Sequence, residues 1–132
     1  MHCLRSLFLF FAFAPVLFGT ANAGAGIGDK ALLQAGMQKH IEDHLVQGAY
    51  LHLDGKSGKV QKLFPDTPHP MILTMGEYFV LCSNFRDAKG KEINVDFYMA
   101  RKGSGYMVFK AAVEDRDSLK RLMRNGMVSR LN

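Results

Sequence analysis

The densest run of chemistry-bearing residues is His40-Ile41-Glu42-Asp43-His44. Histidines at i and i+4 leave a helix in the same direction, close enough to share a zinc or copper ion. On a helical projection they lie beside Leu33 and Met37, at the edge of an apolar stripe, so they are placed to face a pocket. The zincin pattern needs Glu directly after the first His, and Ile41 stands there instead. Two ligands do not complete a structural zinc site, and a third would have to come from His52, His69 or Cys82. The preferred reading is an interface pair of histidines without a metal, with metal handling by His40 and His44 as the alternative. Methionine, a soft ligand that suits copper(I), occurs eight times but never in a cluster. Met37, Met99 and Met107 fall at expected core positions, where thioethers fill irregular gaps.

Nucleophilic chemistry has thinner support. Cys82 follows Phe79, Val80 and Leu81 in a strand-like run, without the helix N-terminus or basic neighbours that lower a thiol pKa. Ser57, Ser83, Ser104, Ser118 and Ser129 lack the context of a nucleophile elbow. Lys102-Gly103-Ser104-Gly105 has neither the spacing nor the following helix of a phosphate-binding loop. Acid–base work in a small pocket would fall to Asp96, Tyr98, Tyr78 or His52, provided they face inward. In the run 92–100, Ile93, Val95, Phe97 and Met99 share one face, while Glu92, Asn94, Asp96 and Tyr98 share the other. If the apolar row lines the core, Asp96 faces solvent and a pocket enzyme loses its best acid.

These residues have to be positioned by a chain of 132 residues, enough for one domain. Five of its 10 phenylalanines fall within the first 18 residues. There Arg5 precedes an apolar run from Leu7 to Phe18, and Ala21-Asn22-Ala23 follows. This is the pattern of a cleaved secretory signal over 1–23, and the run is too short to anchor the chain in a membrane. Residues 24–132 then form a single domain with 16 Lys and Arg against 12 Asp and Glu. They hold one cysteine, Cys82, which excludes a disulfide scaffold and suits a buried thiol.

Leu33, Met37, Ile41 and Leu45 step by four, which predicts a helix from Asp29 to about Val46, stopped by Gly48. Gly36 should weaken it by about 1 kcal/mol relative to Ala. Alternating strands follow at 49–54 and 59–64, then at 71–75, 77–85, 92–100 and 106–113. Pro65, Pro68 and Pro70 forbid a regular ladder between 64 and 71 and are expected to carry the chain to a new strand. A closing helix over 115–125 is capped by Asp115 or Asp117 and ended by Gly126. Its Arg116, Lys120, Arg121 and Arg124 suit a solvated face better than a lipid surface.

The predicted fold is α+β: an N-terminal helix on a curved antiparallel meander of four to five strands, with a short C-terminal helix. In element order alone it resembles cystatin-like and NTF2-like folds, and no residue role follows from that. The expected function is an exported accessory or binding module, periplasmic or secreted. Its surface or pocket would serve a protein partner or small ligand, around His40, His44, Met37, Tyr78 and Tyr98. A small isomerase or hydrolase is the alternative beside metal handling with zinc or copper, and no other cofactor is expected. Nucleic acid is not an expected partner, since no platform of aromatic and basic residues is present. Pairing of copies through an uncovered sheet face bearing Tyr50, Tyr78, Tyr98 and Tyr106 is a further expectation.

Overall fold

The computed structural model describes residues 26–131, so the leader expected at 1–23 lies outside the described residues. Helix α1 (Ile27–Asp43) starts one turn earlier than its pattern suggests, with Gly26 as N-cap. Asp29, expected as the cap, instead accepts the Gly26 backbone N–H at 3.1 Å from the first turn. Leu33, Met37 and Ile41 are the buried face of the helix.

The helix does not run on to Val46. Leu45–Val46 form a short strand, β1, which pairs with β2 (Ala49–Leu53). Between them Gln47 and Gly48 both take positive φ, 52° and 80°. Two such residues make the tight turn whose twist matches a hairpin, so Gly48 bends a ribbon rather than stopping a helix. Asp54 organises the next turn, accepting Lys56 N–H at 2.9 Å and the Ser57 hydroxyl at 2.6 Å.

Strand β3 (Val60–Met75) joins the two segments expected to be separate strands. Its first part pairs with β2, and from Phe64 onward it pairs with β4 (Tyr78–Arg86). The prolines do break the ladder, with register shifts between Pro65 and Pro68 and between Pro68 and Ile72. They bend the strand without ending it, because proline removes a donor but keeps extended backbone. The meander continues through β5 (Glu92–Lys102) and β6 (Gly105–Val113) to helix α2 (Arg116–Arg124) and β7 (Ser129–Arg130). Six strands lie side by side in chain order, and β7 returns to pair with β3. The outcome is the expected α+β fold, a helix on a curved antiparallel sheet.

Both sheet faces are covered, not one as expected. Against α1 lies the larger core, including Leu63, Leu81, Phe85, Val95, Phe97 and Met99. On the opposite face Leu73, Val80, Tyr98 and Ala112 pack with Leu119 of α2 and with Val128. The expectation that Asp96 faces solvent is therefore corrected. The apolar row of β5 does line the α1 core, yet Asp96 is only 1% exposed beneath the α2 side. The tyrosines expected on an open face divide likewise: Tyr50, Tyr98 and Tyr106 are buried, and Tyr78 alone is exposed.

Gly36 explains its own presence in the helix. A Cβ there would sit 2.7 Å from the Tyr106 carbonyl oxygen and 3.0 Å from Met99 Cε. The missing side chain lets α1 lie directly on the backbone of β6.

Candidate functional site

Close seating of α1 on β6 leaves an open groove of about 470 Å³ beside the C-terminal half of the helix. Lys39, His40, Asp43 and His44 form its helical wall, and Lys102, Tyr106 and Val108 form the wall from β5 and β6. The pattern of i, i+4 residues that the sequence displays thus does reach a concave surface.

The two histidines are stacked, with ring centroids 4.0 Å apart and planes tilted by 30°. His44 Nδ1 lies 2.7 Å from the His40 carbonyl oxygen. A carbonyl only accepts, so that nitrogen carries the hydrogen and Nε2 holds the lone pair when the ring is neutral. His40 Nε2 lies 3.1 Å from the Tyr50 hydroxyl, and the ring meets Phe97 edge-on at 5.7 Å. Burial, and then the neighbouring His44, hold the His40 pKa below that of a free imidazole. Rings that overlap at a 30° tilt, each with one nitrogen engaged by the protein, are not converging ligands for one ion. Among the described residues, no three His, Cys, Asp or Glu side chains are grouped to hold a metal.

The far end of α1 is pinned to the same strands. Asp29 accepts from the Tyr106 hydroxyl and from Arg101, both at 3.0 Å, while Arg101 also donates to the Tyr106 hydroxyl at 2.6 Å. The Tyr106 hydroxyl, then Arg101 and the Gly26 N–H, hold the Asp29 carboxyl below its ordinary range. Nothing in the residue pattern brings Asp29 to Arg101, 72 positions apart, because the contact depends on how α1 lies on the sheet.

The remaining predicted site residues go elsewhere. Met37 is fully buried in the α1 core. Tyr78 and Tyr98 lie across the sheet from the histidines, each packed against Phe109 at 5.6 and 6.4 Å. The five residues named from the sequence therefore do not share one pocket. His69 borders a smaller open hollow of about 380 Å³ with Lys30, Gln34 and Pro68, and its carbonyl accepts from Gln34 Nε2 at 3.2 Å.

Beneath the α2 side lies a cluster of residues distant in sequence. Cys82 and Asp96 are opposite one another on β4 and β5. Arg116 reaches down from α2, with Nη1 3.4 Å from Asp96 Oδ1 and 3.7 Å from Cys82 Sγ. Burial pushes the Asp96 carboxyl above its usual range, and neither of its oxygens has a hydrogen-bond partner in the protein. Burial, with the Asp96 carboxylate beside it, pushes the Cys82 thiol up to about 12. Such a thiol stays protonated and is a poor nucleophile. Alternation within each strand does not relate Cys82 to Asp96; the register of β4 against β5 and the cover supplied by α2 bring them together.

Compared with known proteins, the chain matches no family model, no curated protein and no solved structure. No described helix is long and apolar enough to cross a membrane.

Proposed function

We propose that the protein is a small exported binding module that presents the groove between α1 and β6 to a small ligand. The observation that carries this reading is the groove itself: a concave, solvent-open surface on which four ionisable helix residues meet Lys102 and Tyr106. Small-ligand sites commonly combine apolar walls with a few convergent polar groups. Export is inferred from the leader pattern at 1–23, and the cystatin-like or NTF2-like outline is an architectural likeness in element order only.

The isomerase or hydrolase reading needs an acid, base or nucleophile at a pocket wall. Asp96 and Cys82, the strand residues best suited by type, are each 1% exposed and lie on the other side of the sheet. Native mass spectrometry of the protein isolated from its own compartment tests the binding reading. A co-purifying small molecule that is lost on His44→Gln substitution is the expected result. A bare polypeptide mass, together with turnover of a small substrate that survives the same substitution, would overturn it.

A further inference from the structure

We propose that the α1–β6 groove is an oxyanion site that takes up its ligand together with protons, an inference that rests on the binding reading above. The ligand class is a small dianionic group, either free or carried on a small organic molecule. The groove holds two lysines against one carboxylate, and Asp43 is already engaged by Lys39 at 2.8 and 3.0 Å. Lys102 forms no ion pair among the described residues, so its ammonium is free to meet an anion.

The histidines supply the rest. His44 spends Nδ1 on the His40 carbonyl, and His40 spends Nε2 on the Tyr50 hydroxyl. Each ring keeps its other nitrogen uncommitted by the protein, and protonation turns both into N–H donors. With rings 4.0 Å apart, two positive charges oppose each other unless a counter-charge is present. Asp43 supplies part of that charge from the same helix, and a bound anion supplies the rest. By linkage, a ligand that favours the protonated rings binds more tightly as protons become available, and its binding draws protons in.

Every other charged or titratable group near the rings is accounted for. Lys39 and Asp43 pair with each other on α1, and the Asp43 carboxylate also lies close enough to both rings to offset part of their positive charge. Tyr50 faces His40 from β2, and burial raises its pKa so that it stays a neutral hydroxyl. Tyr106 is tied to Asp29 and Arg101, which neutralise one another at 3.0 Å. The C-terminal end of α1 favours a cation in its last turn, which works against the burial that holds the His40 pKa below that of a free imidazole.

The test is a sulfate titration of the protein at constant ionic strength in chloride, followed by the imidazole and amide resonances at pH ~5.5 and ~7.5. Sulfate remains a dianion at both values, so any pH dependence belongs to the protein. Binding is expected to be at least about tenfold tighter at the lower pH, with net proton uptake in calorimetry run in two buffers. His44→Gln and Lys102→Met, both at exposed positions, should each weaken it by about tenfold or more while leaving the fold intact. A phosphorylated sugar that binds more tightly than sulfate marks an organic phosphate as the natural source, whereas equal or weaker binding marks the free anion. Affinity that does not change with pH, or that ignores both substitutions, overturns the proposal. If sulfate leaves Lys102 and His44 unmoved but a neutral or cationic small molecule shifts them, the oxyanion inference falls and the binding reading stands. If neither sulfate nor a small-molecule extract of the compartment shifts them, both fall.

Discussion

Replacing Gly36 by Ala gives a test whose sign depends on how α1 is seated. In an isolated helix this change is stabilising by about 1 kcal/mol, because Gly loses more backbone freedom on ordering. Here the new Cβ would stand 2.7 Å from the Tyr106 carbonyl oxygen. Comfortable carbon–oxygen contacts begin at about 3.3 Å, so the deficit is roughly 0.6 Å. Met99 Cε, at 3.0 Å, ends a flexible side chain and can swing away. The carbonyl cannot, since Tyr106 pairs with Arg101 in the sheet. The helix must therefore back off β6, loosening Leu33 and Met37, both fully buried. Overpacking of this kind costs about 1 to 3 kcal/mol. Set against the gain in propensity, the net loss is about 0 to 2 kcal/mol. Urea unfolding followed by far-ultraviolet circular dichroism reads this directly, with a midpoint falling by up to ~1 M for a slope of ~1–3 kcal/mol/M. Gly28→Ala is the internal control, since a Cβ there meets nothing within 4 Å and its midpoint should hold or rise. A Gly36→Ala midpoint that rises alongside the control would refute the close seating of α1.

Other expectations can be checked with the same material. His40 has its pKa lowered by burial and by His44, so its contribution to stability is present above ~6.5 and is lost as pH falls through the depressed folded value. Thermal melts between pH ~7.5 and ~5 should show that loss, and His40→Asn should remove it. Asp96 has the opposite sign: its folded pKa is raised by burial, so the ionised form is penalised near neutral pH and the penalty eases as pH falls through the raised value. The difference in urea midpoint between the protein and Asp96→Asn should thus change with pH in mild acid, and a constant difference would count against a strained buried carboxylate. Cys82, buried and with its thiol pushed up to about 12, should resist iodoacetamide at pH ~8 until denaturant is added. Leu119 is the only buried residue of α2, so Leu119→Ala should cost about 2 to 3 kcal/mol and speed amide exchange across 116–124 well beyond that of α1.

Much of the fold was legible from period alone. The four-residue step of Leu33, Met37 and Ile41 marked the face of α1 that is buried, and alternation in 92–100 marked the face of β5 that meets it. Boundaries were lost where one residue type serves two conformations. Gly48 ends helices and also makes tight hairpin turns, and only the pairing of Val46 with Ala49 distinguishes the two. The prolines break the ladder as expected but do not begin a new strand, because local chemistry does not report that β4 tracks β3 through the bend. The site divides in the same way. His40 and His44 are neighbours by helical geometry and are legible, whereas Lys102 joins them only because α1 is seated along β6, beside the end of β5. Placing Tyr78 and Tyr98 with the histidines failed because alternation gives two faces without saying which helix covers which.

The side-by-side order of the strands bears on how the chain acquires this shape. Each strand from β1 to β6 bonds to its neighbours in sequence, so the sheet can zip up hairpin by hairpin with little loop to close at each step. Helix α1 is the exception: it precedes every strand yet packs chiefly on β6, with Asp29 reaching Arg101 and Tyr106. During synthesis from the N-terminus its apolar face has no proper seat until about residue 108 has emerged. Docking of α1 is thus expected as the late event in folding, with Leu33, Met37 and Ile41 as the exposed apolar surface of the intermediate, the stretch a chaperone would have to shield.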